Sequence, residues 1–204
     1  MRKQNIAVFV SGGGTNLGAI IKYRDEGKLQ SGDIRVVISS KDGAFALERA
    51  KNAGIDSRVV ARKSCADQGE FEEKILKILE EYEIDIIVLA GFMCILSENF
   101  TKKYPERIIN VHPSLIPSFC GKGFYGLRVH EAALEFGVKV TGATVHFVNE
   151  IPDGGRIIMQ KAVAIEDGDT PEILQKRVME QAEWLILPQA VEKVCAERFA
   201  GKTF

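Results

Sequence analysis

Ile6-Ala7-Val8-Phe9-Val10 runs straight into Ser11-Gly12-Gly13-Gly14-Thr15-Asn16. Five apolar residues in a row, closed by glycines, read as a parallel strand buried on both faces. Leu17, Ile20, Ile21 and Arg24 follow at helical spacing, so the predicted helix spans Leu17 to Lys28. A strand, a glycine turn and a helix make the opening of an α/β sheet. The next segments repeat the alternation. Strands are predicted at Ile34–Ser39, Asp56–Ala61, Ile84–Ala90 and Ile108–Val111. Helices are predicted at Phe45–Ala53, stopped by Gly54, and at Phe71–Tyr82. Such alternation gives parallel pairing with right-handed crossovers. The carboxyl-terminal part differs. Two β-rich runs, Lys139–Val148 and Arg156–Ile165, flank the tight stretch Asn149–Gly155. Thr170-Pro171 then opens a terminal helix that runs to Val194 or beyond.

Composition limits the function classes. Lys+Arg 27 against Asp+Glu 28 leaves a net charge of -1, which argues against a nucleic-acid binder. Hydrophobic content of 46% is enough to build a core without disulfides, and 204 residues at about 150 per domain fit a single domain over residues 1–204. No apolar run reaches the roughly 18 residues of a membrane span. The basic start is not a signal peptide, because the glycines cut the apolar stretch short. Cys65, Cys94, Cys120 and Cys195 form no Cys-x-x-Cys pair, and cytosolic thiols are expected.

Ligands of open parallel sheets collect beyond the carboxyl ends of the strands. Three polar clusters fall there: Ser11–Asn16, Gly91–Leu96 and Asn110–Pro117. The glycine run lets backbone N–H groups turn toward an anion at a helix N-terminus. A dinucleotide fingerprint would need glycine at Leu17, and a Walker loop would need a lysine well before Lys22. A single phosphate or phosphoribosyl group suits the loop better; the alternative is a tight turn capped by Thr15 or Asn16. Asn110 and His112 share a strand face because side chains alternate. An amide could then meet a developing oxyanion beside an imidazole able to move a proton near neutral pH. A structural histidine is the competing reading. Asp153, in Pro152-Asp153-Gly154-Gly155, either forms a turn or orients a histidine and raises its pKa. His146 reads as a strand residue of the core, and His130 as a helical residue bordering the site. Three histidines so spaced make no zinc signature.

Taken together, Ser11–Asn16, Leu89-Ala90-Gly91-Phe92-Met93, Asn110-Val111-His112-Pro113-Ser114-Leu115-Ile116-Pro117 and Gly142–Val148 with Asp153-Gly154-Gly155 resemble the phosphoribosylglycinamide formyltransferase family, in order along nearly the whole chain. The resemblance implies a seven-stranded, mostly parallel sheet with helices on both faces and a Rossmann-like amino-terminal half. It implies formyl transfer from 10-formyltetrahydrofolate, as co-substrate, to the amine of glycinamide ribonucleotide, in the cytoplasm, by a monomer or homodimer with no metal and no nucleic-acid or membrane partner. By the same resemblance Asn110, His112 and Asp153 are catalytic, with a protonated His112 facing the oxyanion. Gly14, Thr15 and Asn16 hold the substrate phosphate. Met93, Cys94, Ile95 and Leu96, with Asn110, Asn149, Glu150, Ile151, Pro152 and Asp153, line the folate pocket.

Glu183, five residues before Pro188, matches a substrate-binding glutamate. The helix ahead of it is one residue longer than the family pattern, which leaves Glu180 as the alternative. Four departures stand out: Cys94 and Gln68 at arginine positions, Trp184 at a histidine position, and a longer connection over Gly121–His130. Two other formyl-folate families are poorer matches. Methionyl-tRNA formyltransferase usually adds a carboxyl-terminal domain for which there is no room. Formyltetrahydrofolate hydrolase usually adds an amino-terminal domain, yet here the first strand begins at Asn5. A noncatalytic binding module could dispense with Asn110, His112 or Asp153, and all three are present.

Overall fold

The computed structural model describes residues 2–201. Seven strands form one sheet: β1 Gln4–Val10, β2 Gly32–Ser39, β3 Asp56–Val59, β4 Ile86–Leu89, β5 Ile108–His112, β6 Val140–Phe147 and β7 Ile157–Ala164. Their order is β3-β2-β1-β4-β5-β6-β7. The first five pair in parallel; β5–β6 and β6–β7 are antiparallel. The mostly parallel sheet and the closing hairpin thus follow the sequence pattern. Chain order reverses between β1 and β4, the kind of switch point where α/β sheets open a crevice.

The helices are α1 Thr15–Asp25, α2 Phe45–Asn52, α3 Gln68–Glu81, α4 Glu98–Thr101, α5 Leu127–Phe136, α6 Pro171–Val178 and α7 Trp184–Phe199. Two apolar clusters lie against the sheet. One gathers Ile6, Val8 and Val10 of β1 with Leu17, Ile20, Leu187 and Val191 of α1 and α7. The other gathers Ala7 and Phe9 with Phe71, Ile75 and Leu79 of α3. Alternate residues of β1 therefore serve opposite faces, which is why the strand reads as a continuous apolar run. Among the described residues no helix is long and apolar enough to cross a membrane.

Most boundaries shift by a residue or more from expectation, and three differences bear on the site and its support. α1 starts at Thr15 rather than Leu17, with Gly14 as N-cap at φ 69 and no side-chain cap, so neither Thr15 nor Asn16 caps it. α3 starts at Gln68 because Asp67 accepts from Glu70 N as an N-cap. The terminal helix is not one regular element. Thr170 caps α6 as expected, but Met179–Glu183 widens to a π-helix before α7. A π-turn is how a helix absorbs one extra residue, and the resemblance implies such a residue here.

Candidate active site

The glycine loop leaves the carboxyl end of β1. Gly14 adopts a left-handed φ of 69, and a Cβ on it would sit 2.6 Å from Ala46 Cβ, so only glycine fits. Gly12 and Gly13 face open space. The N–H groups of Gly13, Gly14, Thr15, Asn16 and Leu17 have no acceptor among the described residues. They form the donor array of a helix N-terminus.

The second group assembles across β5 and β6, whose register sets Asn110 opposite His146 and His112 opposite Thr144. His146 Nδ1 lies 2.8 Å from the Phe147 carbonyl, to which it must donate. Its Nε2 therefore accepts from Asn110 Nδ2 at 3.2 Å, which fixes the amide and leaves its second N–H available. Asp153 reaches both rings, 3.5 Å from His112 Nδ1 and 3.6 Å from His146 Nε2. Its Oδ2 also accepts from Gly121 N at 2.8 Å. Asp153 itself has φ 55, at the tip of the tight β6–β7 turn.

The electrostatics correct one expectation. Burial pushes the His112 imidazole below its ordinary value, by more than the Asp153 charge and the Phe119 carbonyl hold it up. Neutral, not protonated, His112 is the resting form. Its Nε2 donates to the Phe119 carbonyl at 2.9 Å, so Nδ1 carries the lone pair toward Asp153. Burial pushes the Asp153 carboxyl up, but the neighbouring His146 and His112 rings and the Gly121 N–H together bring it below the usual carboxylate range. An ionised carboxylate facing an imidazole lone pair is an arrangement that takes up a proton.

His146 is buried in β6, as its strand pattern implies, and through Asn110 it joins this cluster. The signal was present in the sequence only in combination, because pairing Lys139–Val148 antiparallel to β5 brings His146 opposite Asn110. His130 does border His112, whose positive charge would repel its own; burial and that repulsion lower its pKa to about 4. Both its ring nitrogens are buried without a partner among the described residues.

The Gly91–Leu96 and Asn149–Asp153 segments flank the cluster. Met93, Ile95 and Ile151 stand exposed, whereas Leu96 is buried in the core beneath. The loop backbone is tied down: Met93 N donates to Ser11 Oγ at 2.9 Å and Ser97 N to Glu72 Oε1 at 2.6 Å. Asn149 accepts from Ile151 N through Oδ1 at 3.0 Å, with Glu150 and Pro152 exposed at the turn. At the far side Glu183 is buried and accepts from Asn16 Nδ2 at 2.8 Å. Burial raises its carboxyl pKa. Glu180 lies 3.9 Å from Lys176 and, with Trp184, lines a groove of about 660 Å³ that Thr15 and Gly18 of α1 also line. The π-turn thus brings Glu183, not Glu180, into a hydrogen bond with Asn16 of the glycine loop.

Residues 4–191 match the formyl transferase family. The chain is 40% identical to phosphoribosylglycinamide formyltransferase of Haemophilus influenzae over 189 residues, covering 93% of this chain and 86% of that protein. This chain belongs to the formyl transferase family, among the phosphoribosylglycinamide formyltransferases. It is 45% identical to the human trifunctional purine biosynthetic protein adenosine-3 over 96% of this chain, yet spans only 19% of that protein's length. The crystal structure of glycinamide ribonucleotide transformylase 1 from Symbiobacterium toebii superposes with a TM-score of 0.89 at 39% identity, covering 96% of this chain and 89% of that one.

Two of the positions expected to depart from the family pattern are placed by the structure. Gln68 donates to Glu72 Oε1 at 2.6 Å and to the Ile95 carbonyl at 3.0 Å, bracing the Gly91–Leu96 loop. The Gly121–His130 connection ends inside α5, which begins at Leu127. Cys94 and Cys120 are free thiols, and burial pushes the Cys120 thiol up, which makes it a poor nucleophile.

Proposed function

We propose that the chain transfers the formyl group of 10-formyltetrahydrofolate to the amine of glycinamide ribonucleotide, a step of purine biosynthesis. The carrying observation is the Asn110–His112–His146–Asp153 cluster at the carboxyl end of the sheet. Register aligns Phe9 with Leu89 and Leu89 with Asn110, so the glycine loop lies two strand spacings, about 10 Å, from that cluster. A phosphoribosyl glycinamide spans such a distance, with phosphate on Gly14, Thr15 and Asn16 and amine at Asn110. Buried Asn16 Oδ1, which has no donor among the described residues, and the Glu183 carboxyl are acceptors for hydroxyl groups between those ends. The exposed apolar side chains of Met93, Ile95 and Ile151 suit a flat heterocycle, with Cys94 and the Asn149–Asp153 turn beside it.

The folate supplies an electrophilic formyl carbon. The residues do the rest. The free Asn110 N–H meets the formyl oxygen as negative charge gathers there, a contact worth roughly 3 kcal/mol in such sites. His112 and Asp153 together take the proton that the attacking amine must shed, and the Asp153 charge favours the imidazolium that results. His112 thereby becomes the proton source for the departing folate nitrogen. No covalent enzyme intermediate is required. The direct test is turnover of purified protein with both substrates, following folate product by absorbance. Absence of transfer under conditions where both substrates bind would overturn this reading.

A further inference from the structure

We propose that Arg49 is a positioning residue for the anion-binding loop: it sets the direction in which the Gly13–Gly14 peptide points its N–H. This rests on the reading of that loop as the phosphate site. Arg49 Nε donates to the Gly13 carbonyl at 2.9 Å. One turn earlier on the same helix face, Ala46 N donates to the Gly12 carbonyl at 3.1 Å. Both carbonyls of the loop are thus drawn toward α2. The peptides are trans, so each N–H points opposite to its carbonyl. The N–H groups of Gly13 and Gly14 are thereby turned away from α2, and neither meets an acceptor among the described residues. A cationic donor on the Gly13 carbonyl also polarises that peptide, which strengthens its N–H as an anion donor.

The surroundings of Arg49 hold it in this pose. Its guanidinium lies across the first turns of α1, where a Cβ on Gly18 would stand in ordinary contact, 3.4 Å from Arg49 Nη1. Phe45 is 60% exposed, yet its ring stands 5.1 Å below the Arg49 guanidinium and props it in place. No loop lysine is available to read the phosphate by charge, so the loop depends on the aim of its peptides. The cation that sets the aim stands behind them.

The test compares wild type, Arg49→Met and Arg49→Lys. The readouts are KM and kcat with glycinamide ribonucleotide, efficiency with the dephosphorylated riboside, and competitive inhibition by inorganic phosphate. Arg49→Met is expected to raise KM for the ribonucleotide and Ki for phosphate by the same factor, about tenfold or more, with a smaller fall in kcat. Efficiency with the riboside should change less than twofold, and Arg49→Lys should restore part of the loss. Phe45→Ala should move the same two constants by a smaller factor, and it serves as the second variant should Arg49→Met fail to fold. A wild type that takes riboside and ribonucleotide equally overturns the phosphate reading, and this inference with it. A wild type that discriminates, with an Arg49→Met that discriminates as well, overturns this inference alone. Equal losses with both substrates would make Arg49 a general brace of the loop, which also overturns it.

Discussion

Asp153 carries the densest set of demands on any one side chain in the site. It adopts a left-handed backbone, holds the Gly121 N–H and faces two imidazoles. Asparagine tolerates that backbone and keeps the size, so Asp153→Asn removes little but charge. Since the Asp153 charge raises the His112 pKa against burial, the variant should titrate His112 lower still. The proton sink is then lost, and turnover should fall by a hundredfold or more. Side-chain NMR titration and turnover in the same samples check this; unchanged His112 titration with full activity would leave Asp153 as a turn residue. His146 is a separate case. It acts through Asn110, so His146→Leu should cut kcat by roughly tenfold to a hundredfold while KM holds. His146→Gln returns an acceptor to the amide and should recover part of that loss. A kcat within twofold of wild type in the leucine variant would return His146 to a purely structural role.

Elements decide where these side chains arrive, and the β6–β7 hairpin is the most constrained of them. A Cβ on Gly155 would fall 1.8 Å from the Phe147 carbonyl, a backbone atom that cannot move aside. Gly155→Ala should therefore cost about 2 kcal/mol or more and displace Asp153, lowering activity and urea midpoint together. Gly12→Ala, with open space at its Cβ, should shift the urea midpoint hardly at all. Equal midpoints for the two variants would mean that the hairpin yields. The same element shows what was legible beforehand. Period-two patterning and the Asp-Gly turn located the hairpin, and apolar runs located the parallel strands, because one periodicity dominates each. The contact of His146 with Asn110 is not legible locally, because its partner is a cross-strand neighbour, set by register rather than by local pattern. The His112 charge was misread because burial is a property of the packed molecule. The π-turn at Met179–Glu183 was foreshadowed only as one surplus residue, and helical periodicity alone does not say which glutamate then turns inward.

At the scale of the whole molecule, the buried histidines couple folding to pH. His130 is fully buried with a pKa near 4, and His112 is lowered in the same direction. In the unfolded chain both return to about 6.5. Between those values the unfolded state binds more protons, so stability rises with pH there and is lost as pH falls from about 6.5 toward 4. For His130 alone the slope approaches 1.4 kcal/mol per pH unit in the middle of that window, a few kcal/mol in all. Glu183 works the other way. Its carboxyl pKa is raised, so the folded state holds its proton longer and stability falls as pH rises above about 4.5. A wild-type profile alone mixes these signs, and a variant separates them. His130→Leu removes two unpartnered ring nitrogens and keeps an apolar group of similar reach, so it should be neutral or mildly stabilising at pH 7. At pH 4.5 it should exceed wild type by roughly 2 kcal/mol more than it does at pH 7. Urea unfolding of both proteins at the two pH values measures that difference of differences. Should the gap stay constant, His130 would not be the group that takes up the proton on unfolding, and the acid sensitivity would belong to other groups, His112 and Asp153 among them.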